Sequence, residues 1–136
     1  MAWVVDTAVL IDVLEHDPEF GLRSARTLDA RSGEGLVVCP ITSVELSPAF
    51  EGSLALQREF LDGVGVDYGE EWTAEDTRRA HAAWYAYVQK RRTSRAPKRP
   101  IADLLIGAFA SRFQGLITRN AQDFRRILPD LCLQVP

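Results

Sequence analysis

The sequence predicts an α/β fold in which helices cover both faces of a mainly parallel sheet. Short apolar runs rich in Val, Ile and Leu alternate with amphipathic segments along the chain, which is the pattern of repeated βα units. Breaker residues such as Gly33, Gly35 and Pro40 separate these segments. The length of 136 residues fits one compact domain spanning residues 1–136.

The first half of the chain begins with the shortest unit of this pattern. Residues 3–5 form a strand that Asp6 ends, and residues 7–14 form the first helix. Pro40 closes the second strand because proline cannot donate to a ladder. The remaining elements of this half are expected to be a helix over about 19–31, a strand over 36–39, a helix from Thr42 to about Phe50, a helix over about 54–61 and a weak strand over 64–68.

The second half contains the longest helix and the clearest βα unit. Residues 73–92 read as a helix with Ala80, Trp84 and Tyr87 on one face. Pro100 at a first helical position then leads into a helix whose apolar residues recur at helical spacing. A strand over 116–118, a short helix over 121–127 and a terminal strand over 131–135 are expected to complete the domain.

The charge distribution indicates a possible nucleic-acid contact. The net charge is −3, but six of the sixteen basic residues fall within residues 90–99, which contain no acid. One interpretation is a solvated loop, because prolines and small residues interrupt any helix there. The other is a phosphate-binding patch beside the segment that carries Asp103. The basic residues concerned are Lys90, Arg91, Arg92, Arg95, Lys98 and Arg99.

Composition predicts a cytoplasmic protein with no membrane partner. No apolar run approaches the roughly 20 residues that span a bilayer. The N-terminus lacks a basic region and reaches Asp6 too early for a signal peptide. Cys39 and Cys132 lack metal-ligand spacing and lie in apolar runs, so both are expected to be reduced core residues.

Four acidic residues follow apolar strands or begin helices, and this placement predicts a metal site. Parallel strands end at one sheet edge, so acids that are distant in sequence converge there. Several carboxylates at one place repel each other unless a cation is bound, and carboxylate oxygens suit Mg²⁺ or Mn²⁺. His16 and His81 lie in no ligand-spaced motif, so a softer site is not expected. The four acids are Asp6, Glu45, Asp103 and Asp123.

Each of these acids also has a purely structural interpretation. Asp6 is placed as a helix N-cap, and residues 42–45 match a capping box that ends in Glu45. Asp103 lies in a first helical turn, where negative charge suits the helix dipole, and Asp123 follows a cap-like pattern. Capping alone does not explain why all four fall near one sheet edge.

Four segments of the chain together resemble the signature blocks of PIN domains. These segments are residues 4–12, 41–46, 99–110 and 116–124, and their order and spacing agree along essentially the whole chain. The size and the block Thr118-Arg119-Asn120 particularly resemble the VapC toxins of type II toxin–antitoxin modules.

The resemblance implies a three-layer α/β/α sandwich with Mg²⁺-dependent (or Mn²⁺-dependent) endoribonuclease activity. Asp6 and Asp103 match the principal metal ligands, and Glu45 matches the third acid. Many PIN domains have Asp where this chain has Asn120. Either Asp123 therefore serves as the outer catalytic acid, or the site works with three carboxylates and an amide.

The resemblance also implies partners, namely an RNA substrate, a cognate VapB-like antitoxin and a second copy in a homodimer. The apolar helices around residues 9–14 and 44–56 are compatible with a partner groove, although burial in the chain's own core is the alternative. Arg119 is expected to join the basic stretch in holding the RNA backbone, which makes binding salt-dependent. Thr7 and Thr118 are expected to hydrogen-bond site carboxylates, unless they only end a strand or cap a helix.

Other residues and functions are less favoured by the sequence. Trp84, Tyr85 and Tyr87 suit base stacking, but core or dimer packing fits their helical spacing better, and Phe20 reads as a packing residue. A phosphoacceptor domain would need a second acid close after Asp6 and a late lysine, which the chain lacks. A PIN-like module that binds RNA or a partner without cutting remains the main alternative, because of Asn120.

Overall fold

The computed structural model of the chain describes residues 1–93 and 101–136, apart from the side chains of Arg92 and Thr93. Within these residues five parallel strands form one sheet in the order β3-β2-β1-β4-β5, so the predicted mainly parallel sheet is confirmed. The strands are β1 (Trp3–Val5), β2 (Leu36–Val37), β3 (Val66–Asp67), β4 (Gly115–Ile117) and β5 (Leu133–Gln134).

Helices lie on both faces of this sheet, as the sequence predicts. Val5 of β1 packs in a cluster with residues of the first two helices, whereas Val4 packs on the opposite face with residues of the last two. Both valines are fully buried, so the central strand faces two apolar layers. The helices are α1 (Thr7–Leu14), α2 (Gly21–Arg31), α3 (Pro40–Glu45), α4 (Leu54–Gly63), α5 (Ala74–Thr93), α6 (Ile101–Ala110) and α7 (Ala121–Ile127).

The long helix α5 packs outside α6 and is fixed to it by a buried ionic group. Thr73 and Asp76 form a capping box at the start of α5, with nitrogen-to-oxygen distances of 2.9 and 3.1 Å. Arg112, just after α6, donates from Nε to both oxygens of Asp76, and Arg79 pairs with the same carboxylate. The start of α5 therefore lies at the end of α6, and the two helices run antiparallel.

One helix start differs from the sequence prediction. The third helix begins at Pro40 rather than Thr42 and ends at Glu45 rather than about Phe50, and Cys39 is its N-cap. The expected capping box over residues 42–45 is therefore wrong. Proline is favoured in the first helical turn because its missing N–H has no intrahelical partner there. Thr42 is instead buried inside the helix, and Glu45 is the last helical residue.

Smaller differences concern strand length and one cysteine. β2, β3 and β5 are two residues long, shorter than the apolar runs that predict them. Cys39 is buried as expected, but Cys132 is exposed at the sheet edge beside β5, so the core prediction for it is wrong. No helix in the described parts of the chain has the length and apolar content to cross a bilayer.

Candidate active site

The candidate site lies where the strand order of the sheet reverses. β1 is flanked by β2 on one side and by β4 on the other, because the chain runs outward from β1 to β2 and β3, crosses back to β4, and then runs outward to β5. Open parallel sheets bind ligands at such a switch point, outside the carboxyl ends of the strands. Asp6 follows the end of β1, and Thr118 follows the end of β4.

Asp6 is held rigidly at this point by two hydrogen bonds. Its Oδ1 accepts from the backbone N–H of Thr7 at 2.9 Å, and its Oδ2 accepts from the Thr118 hydroxyl at 2.7 Å. Only 3% of the residue is exposed. Burial raises the pKa of Asp6 above its ordinary value, although the bonds from Thr118 and Thr7 oppose that shift. Asp6 is therefore both the N-cap of α1 and a fixed carboxylate.

The two threonines lie where the sequence places them, beside site acids. Thr118 is buried and, besides donating to Asp6, accepts the backbone N–H of Asn120 at 3.0 Å. The Thr7 hydroxyl donates to Glu45 Oε1 at 2.6 Å and lies 3.0 Å from the Thr42 hydroxyl. Each threonine thus orients one carboxylate.

Asp103 shows that the four acids share one electrostatic environment. It lies in the first turn of α6, and its pKa is raised to about 6 by burial, followed by repulsion from Asp6, Glu45 and Asp123. The charges of three acids on three other elements therefore act on Asp103. Negative charge at this place is therefore costly without a cation.

The donor chemistry suits a hard divalent cation, but the site is not assembled around one point. Carboxylate and hydroxyl oxygens are the groups that Mg²⁺ prefers. Within residues 1–93 and 101–136, however, no three acidic, histidine or cysteine side chains are arranged to hold one ion. Hydrogen bonds already engage both oxygens of Asp6 and Oε1 of Glu45. Coordination of an ion thus requires side-chain movement, most simply of the exposed Glu45.

The two candidates for the fourth position of the predicted site are the amide Asn120 and the acid Asp123. Asn120 is the N-cap of α7 but makes no capping hydrogen bond with its side chain. Asp123 is exposed in the first turn of α7, and one of its oxygens lies 3.8 Å from Arg126 Nη1. Its charge still contributes to the raised pKa of Asp103, after burial, Asp6 and Glu45. Asp123 therefore lies near enough for its charge to act on Asp103.

Part of the predicted basic surface can be located. Lys90 and Arg91 lie near the end of α5, and the antiparallel packing of α5 on α6 directs that end towards the start of α6. Arg95, Lys98 and Arg99 lie outside the described residues, as does the side chain of Arg92.

Arg119 is held in a defined position by residues that the sequence analysis did not assign to the site. Its Nε lies 3.1 Å from Oδ2 of Asp12, and its guanidinium stacks on the Phe20 ring at 4.7 Å. Asp12 is only 3% exposed although it is charged. The available signal was an acid within the apolar run of α1, six residues after Asp6.

The aromatic residues of α5 fall into a packed pair and one exposed residue. Tyr87 is buried and stacks with Trp84 at 6.0 Å between ring centroids, so both contribute to packing. Tyr85 is exposed. Packing is therefore the main use of this group in the folded chain.

Solved structures share this architecture over nearly the whole chain. One similar chain is in the crystal structure of VapBC2 from Rickettsia felis bound to a DNA fragment from their promoter. It is 20% identical, has a TM-score of 0.76, and the match covers 99% of this chain and 98% of that one. Another is in VapBC-1 from nontypeable Haemophilus influenzae, with 22% identity, a TM-score of 0.70 and the same coverage.

At these identities the likeness shows the fold. The chain has the PIN-like α/β fold of these toxin–antitoxin structures, which confirms the resemblance at that level. No protein-family model and no curated protein matches the sequence.

Proposed function

We propose that the chain is a Mg²⁺-dependent (or Mn²⁺-dependent) endoribonuclease that cleaves RNA phosphodiester bonds. The observation that supports the proposal is that burial, followed by the charges of Asp6, Glu45 and Asp123, raises the pKa of Asp103 to about 6 near the sheet's switch point. A protein keeps such a cluster of charges where a cation offsets it. Cleavage of phosphodiester bonds is one use of such a site, and it suits the basic residues nearby.

In this proposal Asp6, Glu45 and Asp103 hold the ion, with Asp123 as an outer acid. An ion held there would lower the pKa of a bound water and offset negative charge on the phosphate oxygens. Asp6 stays oriented by Thr7 and Thr118 throughout. Holding the ion would require Glu45 to give up its hydrogen bond from the Thr7 hydroxyl and would require Asp103 in its ionised form.

A covalent enzyme intermediate is not part of the proposal. Cys39 is the nucleophilic side chain near the end of β2, and burial raises the pKa of its thiol to about 11. It therefore stays protonated and unreactive at neutral pH. Attack by water is the alternative that the acidic site supports.

The basic residues Lys90, Arg91 and Arg119, with the rest of the stretch to Arg99, are proposed to hold the RNA backbone. Positive charge beside the acidic site keeps phosphates close despite the net charge of −3. Affinity for RNA should then fall steeply as salt rises.

A toxin role with a VapB-like antitoxin and a homodimer is the biological context that we propose. Support comes from the fold shared with chains of VapBC complexes. Of the two apolar segments considered for a groove, residues 9–14 bury Val9 and Leu10 in the core, whereas Val44, Leu54 and Leu56 are exposed. The second segment is therefore the better candidate for a partner surface. Location in the cytoplasm stays a prediction.

The test is cleavage of a mixed pool of structured RNA by the purified protein. The reaction contains Mg²⁺ or Mn²⁺, with an EDTA control and the Asp6→Asn variant alongside. Metal-dependent cutting that both controls abolish supports the nuclease. No cutting by a folded protein that binds RNA would instead favour a non-catalytic binding module, for which the unassembled metal site and Asn120 are the supporting observations.

A further inference from the structure

We propose that Asp12 and Phe20 position the guanidinium of Arg119 as a fixed fork that binds a substrate phosphate beside the acidic site. The inference rests on the proposed function, because it assigns how that site holds its polyanionic substrate. It goes further because it makes Arg119 a contact of defined geometry rather than one of many surface charges. The three residues come from α1, the loop after it and the loop after β4.

Two contacts restrict the position of the guanidinium. Its central carbon lies 4.7 Å from the centre of the Phe20 ring, which limits the movement of the side chain. Asp12 Oδ2 lies 3.1 Å from Nε. Burial raises the pKa of Asp12, and Arg119 opposes that shift, so the carboxylate depends on Arg119 as its cation.

The contacts with Asp12 and Phe20 leave the Nη donors of Arg119 available. Asp12 Oδ2 accepts no hydrogen bond, so its contact with Arg119 is an ion pair only. Among residues 1–93 and 101–136 no hydrogen bond from either Nη of Arg119 is found, and the side chain is 34% exposed. A planar guanidinium with free Nη donors matches two oxygens of one phosphate.

The fork also lies within electrostatic reach of the site acids. The charge of Arg119 lowers the pKa of Asp6. This is the smallest of the effects on the pKa of Asp6, after burial, the hydrogen bonds from Thr118 and Thr7, and the charge of Glu45. Arg119 follows Thr118 directly, and Thr118 donates to Asp6. A phosphate held by Arg119 would therefore lie near the carboxylates.

The test measures RNA binding without cleavage. A fluorescein-labelled 12-nucleotide single-stranded RNA is titrated in EDTA with the wild type and with Arg119→Lys, Arg119→Ala, Asp12→Asn and Phe20→Leu. We expect Arg119→Lys to weaken binding by roughly 10-fold although its charge is kept, because lysine cannot form the planar fork. Arg119→Ala should also reduce the steepness of the slope of log affinity against log salt by about 1, which corresponds to the loss of one phosphate contact.

Coupling between the variants separates positioning from simple destabilisation. Asp12→Asn and Phe20→Leu should each weaken binding about 3-fold to 10-fold, yet change nothing further in an Arg119→Ala background. Phe20→Tyr, which keeps the ring, should restore wild-type affinity. A melting curve for each variant identifies any that fail to fold, and the Phe20 and Arg119 variants alone then decide the result.

Arg31 provides a matched control. It stacks on Trp3 at 4.8 Å and pairs with Glu34 at 2.9 Å, but Trp3 is the first residue of β1, at the strand end away from Asp6. Arg31→Lys should therefore leave RNA affinity unchanged. An equal loss in Arg31→Lys and Arg119→Lys would overturn the inference.

Further outcomes distinguish this inference from the proposed activity. If Arg119→Lys binds RNA with wild-type affinity, the inference about the fork is wrong. The same holds if Asp12→Asn and Phe20→Leu are both folded and both bind with wild-type affinity. Neither result bears on cleavage, which is tested separately. Coupled loss of binding in a protein that cuts no RNA overturns the nuclease and supports the fork.

Discussion

At the scale of single residues, the acids combine a structural role with the proposed chemical one. Asp6 caps α1 through Thr7 and is fixed by Thr118, so its structural contacts also orient it. Asp103 is different, because burial and three like charges oppose its ionised form. Residues that destabilise the fold while serving a site are the usual source of a trade-off between stability and activity.

Asp103→Asn should stabilise the metal-free protein at pH 7. The pKa of Asp103 is raised from 3.8 to about 6 in the folded chain, so between these values the folded state binds more protons than the unfolded state. Stability from this group therefore falls as pH rises from about 4 to 6. After allowing for partial exposure, we expect a gain of about 1 kcal/mol at neutral pH. Urea unfolding in EDTA measures it.

The control for this prediction is Glu59→Gln, at an exposed position on α4. It should leave the free energy of unfolding unchanged. The gain from Asp103→Asn should shrink when unfolding is repeated near pH 4. A loss of stability at pH 7 would contradict the repulsion between the four acids.

Thr118→Val should reduce cleavage while keeping the fold. The substitution conserves shape but removes the 2.7 Å hydrogen bond to Asp6 Oδ2, so the carboxylate loses an orienting partner. Groups that orient metal ligands typically change activity or metal affinity by about 10-fold to 100-fold. Initial cleavage rates across a Mg²⁺ titration measure the effect. Thr118→Ser should restore the rate, and a fully active Thr118→Val enzyme would show that the bond serves only the strand end.

At the scale of elements, the bounds of a helix could be predicted where the residues that determine them lie within the segment itself. The bounds of α1 and α7 agree with the sequence prediction, since an acidic or polar cap and apolar periodicity lie within each segment. The start of α3 was mispredicted, because proline and threonine both signal a helix start and burial of Thr42 decided between them. Strand lengths depend on neighbours in the sheet, which a single segment does not contain.

Asp76→Ala should destabilise the contact between α5 and α6 more than any exposed ion pair on α5. It removes one half of the capping box and leaves Arg112 and Arg79 without their buried partner. Breaking a buried pair from one side costs about 3 to 5 kcal/mol. Thermal and urea unfolding measure the loss.

The matched control is the adjacent Glu75→Ala. Glu75 pairs at 2.8 Å with Arg78, but both side chains are more than half exposed. Exposed pairs contribute about 0 to 1 kcal/mol. Similar losses in the two variants would show that Asp76 acts only as a helix cap and not as the anchor between the helices.

At the scale of the whole molecule, the sheet topology made the acids predictable and the Arg119 contacts unpredictable. The rule that parallel strands end at one edge needs only that the strands are parallel, so it predicts from sequence that Asp6, Glu45 and Asp103 lie near one another. The pairing of Asp12 with Arg119 depends on the turn that places Phe20 beside them, which no periodicity encodes. The same is true of Arg112 and Asp76, which are 36 residues apart.

Mg²⁺ should stabilise the folded protein, because it binds an acidic cluster that only the fold assembles. Ligand binding to the native state raises stability by RT ln(1 + [L]/Kd), or about 1.4 kcal/mol at ten times the dissociation constant. Since no three acidic ligands are prearranged among the described residues, part of the binding free energy is spent on moving side chains. We therefore expect the melting temperature to rise only over millimolar Mg²⁺.

The measurement is the melting temperature at pH 7 across a MgCl₂ titration, with NaCl at equal ionic strength as the control. Asp6→Asn and Asp103→Asn should each lose the Mg²⁺-dependent rise, whereas Glu59→Gln should retain it. The rise in the wild type should also diminish below about pH 6, because a protonated Asp103 no longer donates an oxygen pair to the ion. An equal rise in all variants would place the ion elsewhere, and the acidic cluster would then need another cation, such as a basic residue of a partner.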